Sequence, residues 1–268
     1  MLPAISRNAF FRIFFIIFAA MNNELILHSE QTGSTNRDLA ELIQAKQLDG
    51  SALQEFLMLR TDYQTAGRGQ GSNRWFSSEK QNLLCSIYFR PPIPANRQFV
   101  FNQYFALAVR QFLLQFCNNV KIKWPNDIYV DGKKIAGILI EHSVMGDKIR
   151  HTIAGIGLNV NEKQFPDELP NPISLYQITN NQYDIKEIAR QLLLQCQELY
   201  AMILEQRFEE LRDDYLQNLY QINEWKHYEI ANNVVEARIT GLDPYGRLQL
   251  EGRGGQAWCC GLKEVRFL

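Results

Sequence analysis

The chain of 268 residues has no cysteine framework, few histidines, no excess of either charge and no apolar run long enough to span a bilayer. Its five cysteines, Cys85, Cys117, Cys196, Cys259 and Cys260, are odd in number, two are adjacent, and no C-x-x-C occurs. That spacing excludes a disulfide scaffold and fits a reducing compartment. His28, His142, His151 and His227 form no H-E-x-x-H and no Cys/His cluster, so no zinc site is expected. Lys+Arg number 28 against 29 Asp+Glu, a net charge of −1, which disfavours DNA as the main partner. Neither G-x-x-x-x-G-K-[ST] nor G-x-G-x-x-G is present, and no internal repeat is visible.

What remains is globular in composition, with 46% hydrophobic residues, 16 Gly and 9 Pro. A chain of this length buries about three quarters of its unfolded surface, enough for one large domain plus a small one. Residues 8–20 form a short apolar stretch behind Arg7, interrupted by Arg12 and ending in two alanines. It reads as a signal peptide, a membrane-surface anchor, or upstream sequence before a true start at Met21. The expectation is that residues 1–21 are an extension outside the fold.

Hydrophobic periodicity places strands at Glu24 to His28, Phe56 to Thr61, Leu83 to Phe89, Lys121 to Val130 and Ile135 to Glu141. A hairpin at Gly146-Asp147 leads into a further strand, Ile149 to Val160. Helices are expected behind a capping box at Thr35-x-x-Asp38, over Phe99 to Phe116, and from Ile185 through Ile203. Val234 to Ile239, a turn at Asp243 to Gly246 and Leu248 to Leu250 read as a small all-β module. Mixed order with hairpins predicts an α+β domain over residues 22–220, with a mixed sheet, followed by a β domain over 221–268.

Positive charge collects in two segments. Arg60, Arg68, Arg74 and Lys80 against Asp62 and Glu79 give residues 60–80 a net +2; Lys121, Lys123, Lys133 and Lys134 against Asp127 and Asp131 give residues 120–134 another +2. The rest of the chain then carries −5, so the pattern suits a small anionic ligand. The first segment holds the loop Gln64 to Trp75, where Gly67, Gly69 and Gly71 free backbone N–H groups to approach a phosphate. The second holds Lys123-Trp124-Pro125-Asn126-Asp127, a mixture that no secondary-structure propensity calls for. Lys134 then stands at the entrance of an apolar strand, and Gly137, Gly155 and Gly157 remove side chains from strand interiors.

In this order, Ser34-Thr35-Asn36, Gly67-Arg68-Gly69-Gln70 with Trp75, Lys123 to Asp127, Gly132 to Leu139 and Gly155 to Asn159 resemble the motifs of the biotin protein ligase family. The resemblance covers nearly everything after Met21. It implies a catalytic domain of the class II aminoacyl-tRNA synthetase and biotin ligase type, with a small C-terminal SH3-like β-barrel. It also implies a two-step reaction using ATP, biotin and Mg²⁺. Biotin's carboxylate attacks the α-phosphate of ATP to give biotinyl-5′-AMP, and a lysine of a biotin carboxyl carrier domain then displaces AMP.

The resemblance assigns roles by matched position. Lys134 and Arg68 would be catalytic, neutralising the two anions that must meet. Ser34, Thr35, Asn36, Gln64, Arg68, Gly69, Gln70, Lys134, Gly137 and Gly155 would bind biotin. Arg68, Trp75, Lys123, Asn126 and Asp127 would hold ATP or the adenylate, with Trp75 over adenine and Asp127 either helping to hold Mg²⁺ or orienting the incoming amine. The glycine-rich loop would close over the water-labile adenylate. Only 33 residues precede Ser34, and no helix-turn-helix fits them, so a monofunctional enzyme without a DNA-binding domain is expected. It is expected in the cytoplasm, off the membrane, with a homodimer possible through an exposed sheet edge. The competing readings are a lipoate or octanoate ligase and a non-catalytic biotin sensor.

Overall fold

A computed structural model describes residues 25–48, 53–71 and 73–268. The expected N-terminal extension, and Glu24 at the start of the first expected strand, lie outside the described residues.

Leu83 to Phe89 is apolar apart from Ser86 and the Tyr88 hydroxyl, and all seven residues are buried, as a strand covered on both faces requires. It forms β3 (Leu83–Phe89) within a seven-stranded mixed sheet. The others are β1 (Ile26–Thr32), β2 (Met58–Gln64), β4 (Val120–Lys123), β5 (Asp127–Val130), β6 (Lys133–Met145) and β7 (Lys148–Leu158), in the order β1-β2-β3-β7-β6-β5-β4. β1 and β2 run parallel, joined through α1 (Thr35–Leu48), and every other pair is antiparallel.

Alternation along β3 sends Cys85, Ile87 and Phe89 to one face, where they meet α2 (Phe99–Leu113). Ten of the fifteen residues of α2 are buried, because α4 (Ile185–Leu199) and α6 (Phe208–Gln217) pack on it from outside. Tyr88 and Ile153 point to the other face, under Leu39, Leu42 and Ile43 of α1. The N-terminal end of α1 leaves the next stretch of that face open.

Three expectations are corrected. The strand expected over Lys121 to Val130 is a hairpin, with Lys123 paired to Asp127, because Trp124-Pro125-Asn126 turns the chain back. The helix expected through Ile203 divides at Tyr200 into α4 and α5 (Ala201–Leu204); the Tyr200 ring packs edge-on to Phe56, 5.0 Å away. The helix expected behind a Thr35–Asp38 box starts at Thr35 itself, and the Asp38 carboxylate accepts from the Thr32 hydroxyl instead. Two helices were not read from the sequence: α3 (Leu175–Thr179), too short for a period and capped by Ser174 and Gln177, and α6, whose apolar face is Phe208, Leu211 and Tyr215.

The C-terminal residues form β8 (Trp225–Ile230), β9 (Asn233–Leu242), β10 (Leu248–Gly252), β11 (Ala257–Cys260) and β12 (Val265–Phe267). They make a five-stranded antiparallel sheet, β11-β10-β9-β8-β12, compatible with the SH3-like module. Its buried Tyr228, Ile239 and Leu250 belong to the same hydrophobic cluster as α2 and β3.

Candidate active site

The open stretch of the sheet face is a cavity that opens to solvent. Ser34, Thr35, Asn36, Gln64, Arg68, Gly69, Gln70, Trp75, Asn126, Asp127, Lys134, Gly137 and Gly155 all line it. Residues 34 to 155 of the sequence thus converge on one place. Arg68, Arg74 and Lys134 stand against the single lining carboxylate of Asp127.

One wall is a polar chain anchored at the start of α1. The Thr35 N–H, unsatisfied within the helix, donates to Oε1 of Gln64 at 2.9 Å. Gln64 is available there because it ends β2, opposite Thr32 at the end of β1. Ser86 is fully buried in an apolar strand and needs a partner for its hydroxyl. It finds Oγ1 of Thr35 at 2.7 Å and Oδ1 of Asn36. Asn36 lies over Gly155, where a Cβ would overlap its amide. Gly155 therefore makes room for Asn36, and the glycines left for the floor are Gly137 and Gly157, paired across β6 and β7. The Trp75 indole lies on both; a Cβ on Gly137 would come within 2.8 Å of its Cζ3.

The glycine-rich loop has a structure of its own, unlike the plain loop expected. Arg68 and Arg74 form a β-bridge, Gly69 N–H donates to Asn73 O at 2.8 Å, and Trp75 N–H donates to Gly67 O at 3.1 Å. This short hairpin sets both arginines and Trp75 on the cavity.

The hairpin β4–β5 supplies the opposite wall. Asn126 bonds the backbone of Ile138 in β6 through its side-chain amide and its carbonyl. Asp127 follows, its Oδ2 2.8 Å from Nζ of Lys134, which also lies 5.7 Å from the Trp75 ring centroid. Trp124 turns the other way, donating from Nε1 to the carbonyl of Gly246 in the C-terminal module at 2.9 Å.

Lys123 is not brought to the cavity. Its ammonium lies 3.1 Å from the Tyr129 hydroxyl and 4.9 Å from the ring centroids of Tyr129 and Phe267. Burial there pushes its pKa down, against the opposing pull of Asp127. Burial also drives the Tyr129 phenol up to about 12, with Asp127 adding to the rise. Among the residues that reading the sequence did not assign, Ser86, Arg74, Asn73 and Gly157 also belong to the site. Ser86 left a signal, the one serine inside a run of apolar and aromatic side chains. Among the described residues no group of three or more His, Cys, Asp or Glu is placed to hold a metal.

The Biotin/lipoate A/B protein ligase family profile matches residues 29–159, the span that builds this cavity. A bifunctional ligase/repressor, BirA, from Bacillus subtilis is 31% identical over 239 residues, covering 88% of this chain and 71% of that protein. The chain belongs to this family. A biotin–[acetyl-CoA-carboxylase] ligase from Mycobacterium tuberculosis is 30% identical over 234 residues, covering 84% of this chain and 82% of that protein. The fold matches a biotin protein ligase from Aquifex aeolicus, solved in complex with biotin and ATP. That match has a TM-score of 0.72 and 24% identity, and covers 91% of this chain and 99% of that one.

Proposed function

We infer that the chain is an ATP-dependent ligase that activates biotin as biotinyl-5′-AMP and transfers it to a lysine of a biotin carboxyl carrier domain. The observation that carries this is the convergence of three cations, a polar wall and a glycine floor on one cavity, in a chain related to named biotin ligases.

A carboxylate approaches the α-phosphate of ATP against like charge, and fixed cations lower that barrier. Lys134 and Arg68 take this role, with Arg74 beside them. The carboxylate oxygen bonds to the α-phosphorus as the bond to pyrophosphate breaks. In the second step the carrier amine attacks the acyl carbon, loses a proton and releases AMP. Ser34, Thr35, Asn36 and Gln64 face biotin's polar ring, while Gly69 and Gln70 edge the pocket. Trp75 and Asn126 hold the nucleotide side.

Magnesium suits a site with one lining carboxylate, since one or two carboxylates plus substrate phosphates are its usual set. Asp127 would hold it, and the ion would supply positive charge to the phosphates. The outer edge of β6 beyond Gly137 pairs with no strand among the described residues, which supports a homodimer by strand addition. No helix among the described residues is long and apolar enough to cross a membrane. The cytoplasm, where ATP and the unmodified carrier reside, is the compartment this activity needs.

The test uses the full chain with ATP, Mg²⁺ and either biotin or lipoate, following pyrophosphate and acyl-AMP by mass spectrometry. Biotinyl-AMP from biotin alone is expected. Adenylate from lipoate alone would assign the other branch of the family, and biotin binding without adenylate would make the protein a sensor.

A further inference from the structure

Glu141 is not among the residues lining the cavity, yet two that line it end on its carboxylate. Nδ2 of Asn36 donates to Glu141 Oε2 at 2.7 Å and to the Leu139 carbonyl at 3.3 Å. Nη2 of Arg68 lies 3.3 and 3.4 Å from the two carboxylate oxygens. Glu141 reaches both because it follows Gly137 and Leu139 on the same face of β6.

We propose that Glu141 is a positioning residue for biotin, whose carboxylate sets the direction of the hydrogen-bond chain running through Asn36, Ser86 and Thr35. The proposal rests on the ligase reading given above.

An ionised carboxylate can only accept. Asn36 must therefore turn its NH₂ toward β6, which leaves Oδ1 facing Ser86. The Ser86 hydroxyl has one hydrogen and gives it to Oδ1, so toward Thr35, 2.7 Å away, its oxygen accepts. The Thr35 hydroxyl has two acceptors in reach, Ser86 Oγ at 2.7 Å and Gln64 Oε1 at 3.2 Å; it gives its hydrogen to the nearer, Ser86, and keeps lone pairs for a ligand. Gln64 Oε1 is already held by the Thr35 N–H, so its NH₂ remains a donor. The wall thus offers acceptors and donors in a fixed order, which a ureido group with two N–H donors and one carbonyl can read. A neutral amide at position 141 could donate as well as accept, leaving only the longer contact to the Leu139 carbonyl, 3.3 Å, to hold the chain's sense. Because the residues behind the wall are buried, the direction set at one end cannot be corrected by water.

The experiment measures biotin and ATP binding separately, by calorimetry, on the full chain and on Glu141→Gln, Ser86→Ala and the double variant, with thermal melting for each. Glu141→Gln is expected to weaken biotin about tenfold. ATP should change by less than about threefold, because the Arg68 pair is 40% and 41% exposed and screened by solvent. Ser86→Ala cuts the chain beyond an intact carboxylate and should lose biotin to a similar degree. It also serves as the test if Glu141→Gln does not fold. In the double variant the two losses should not multiply. Folded single variants that bind biotin within twofold of wild type overturn the proposal, as do losses that multiply or fall equally on ATP. A wild-type chain that binds no biotin contradicts the ligase reading itself and removes this proposal with it.

Discussion

Nζ of Lys134 lies 2.8 Å from Oδ2 of Asp127, and both residues line the cavity. The pair is 30% and 24% exposed, so solvent screens it, and its contribution to stability is at most about 1 kcal/mol. Its effect on chemistry should be larger than its effect on folding. Asp127→Asn is expected to melt within about 4 °C of wild type. Adenylate formation should fall at least on the order of tenfold, as Lys134 loses the partner that orients it and Mg²⁺ loses the carboxylate proposed to hold it. Melting curves and single-turnover assays on one preparation check both numbers.

Gly157 is the tightest point of the floor, because a Cβ there would overlap the Trp75 indole. Gly157→Ala must push the ring away or strain the strand, costing about 1–3 kcal/mol. We expect a blue or red shift of tryptophan emission that is absent when the same substitution is made in a Trp75→Phe background. An unchanged spectrum would mean that the indole does not rest on this strand.

Trp124 should act on stability through the C-terminal module. Its Nε1 is the partner of the Gly246 carbonyl, and Gly246 itself is pressed against the Phe99 ring. Trp124→Phe removes the donor and leaves a carbonyl without it, which costs about 1–3 kcal/mol. Chemical denaturation reads the loss directly.

His142 gives the fold a pH dependence. Burial holds its pKa down at about 4, against 6.5 in an unfolded chain. Its Nδ1 pairs with the Thr152 hydroxyl at 2.8 Å and its Nε2 has no partner. A depressed pKa means that the unfolded chain takes the proton first. The stability is whole above pH 6.5 and is lost as pH falls toward 4. The loss is on the order of 2–3 kcal/mol. His142→Gln should flatten the urea midpoint against pH in that window, relative to wild type.

Much of this was legible before the structure. Leu83 to Phe89, the hairpin at Gly146-Asp147 and the start of the helix at Phe99 stand as read, because uninterrupted apolar runs and glycine turns are local signals. The cavity's cations and glycines were visible as motifs. Lys123 was legible as part of a motif but not as a direction. Which way its side chain points depends on Phe267, 144 positions away, and on the turn that pairs Lys123 with Asp127. Gly155 and Gly157 looked alike in sequence. Only the packing of Asn36 on one and Trp75 on the other separates them. Glu141 had no local mark, since a carboxylate in a half-exposed strand is ordinary until its two partners arrive from residues 36 and 68.

The most direct measurement of the central claim is the single-turnover rate of biotinyl-AMP formation by Lys134→Gln beside wild type, at saturating biotin and ATP. If the Lys134 ammonium neutralises the meeting anions, the folded variant loses at least about 100-fold in rate. A folded Lys134→Gln enzyme within about threefold of wild type would contradict that role and, with it, the reading of the cavity as a site for adenylation.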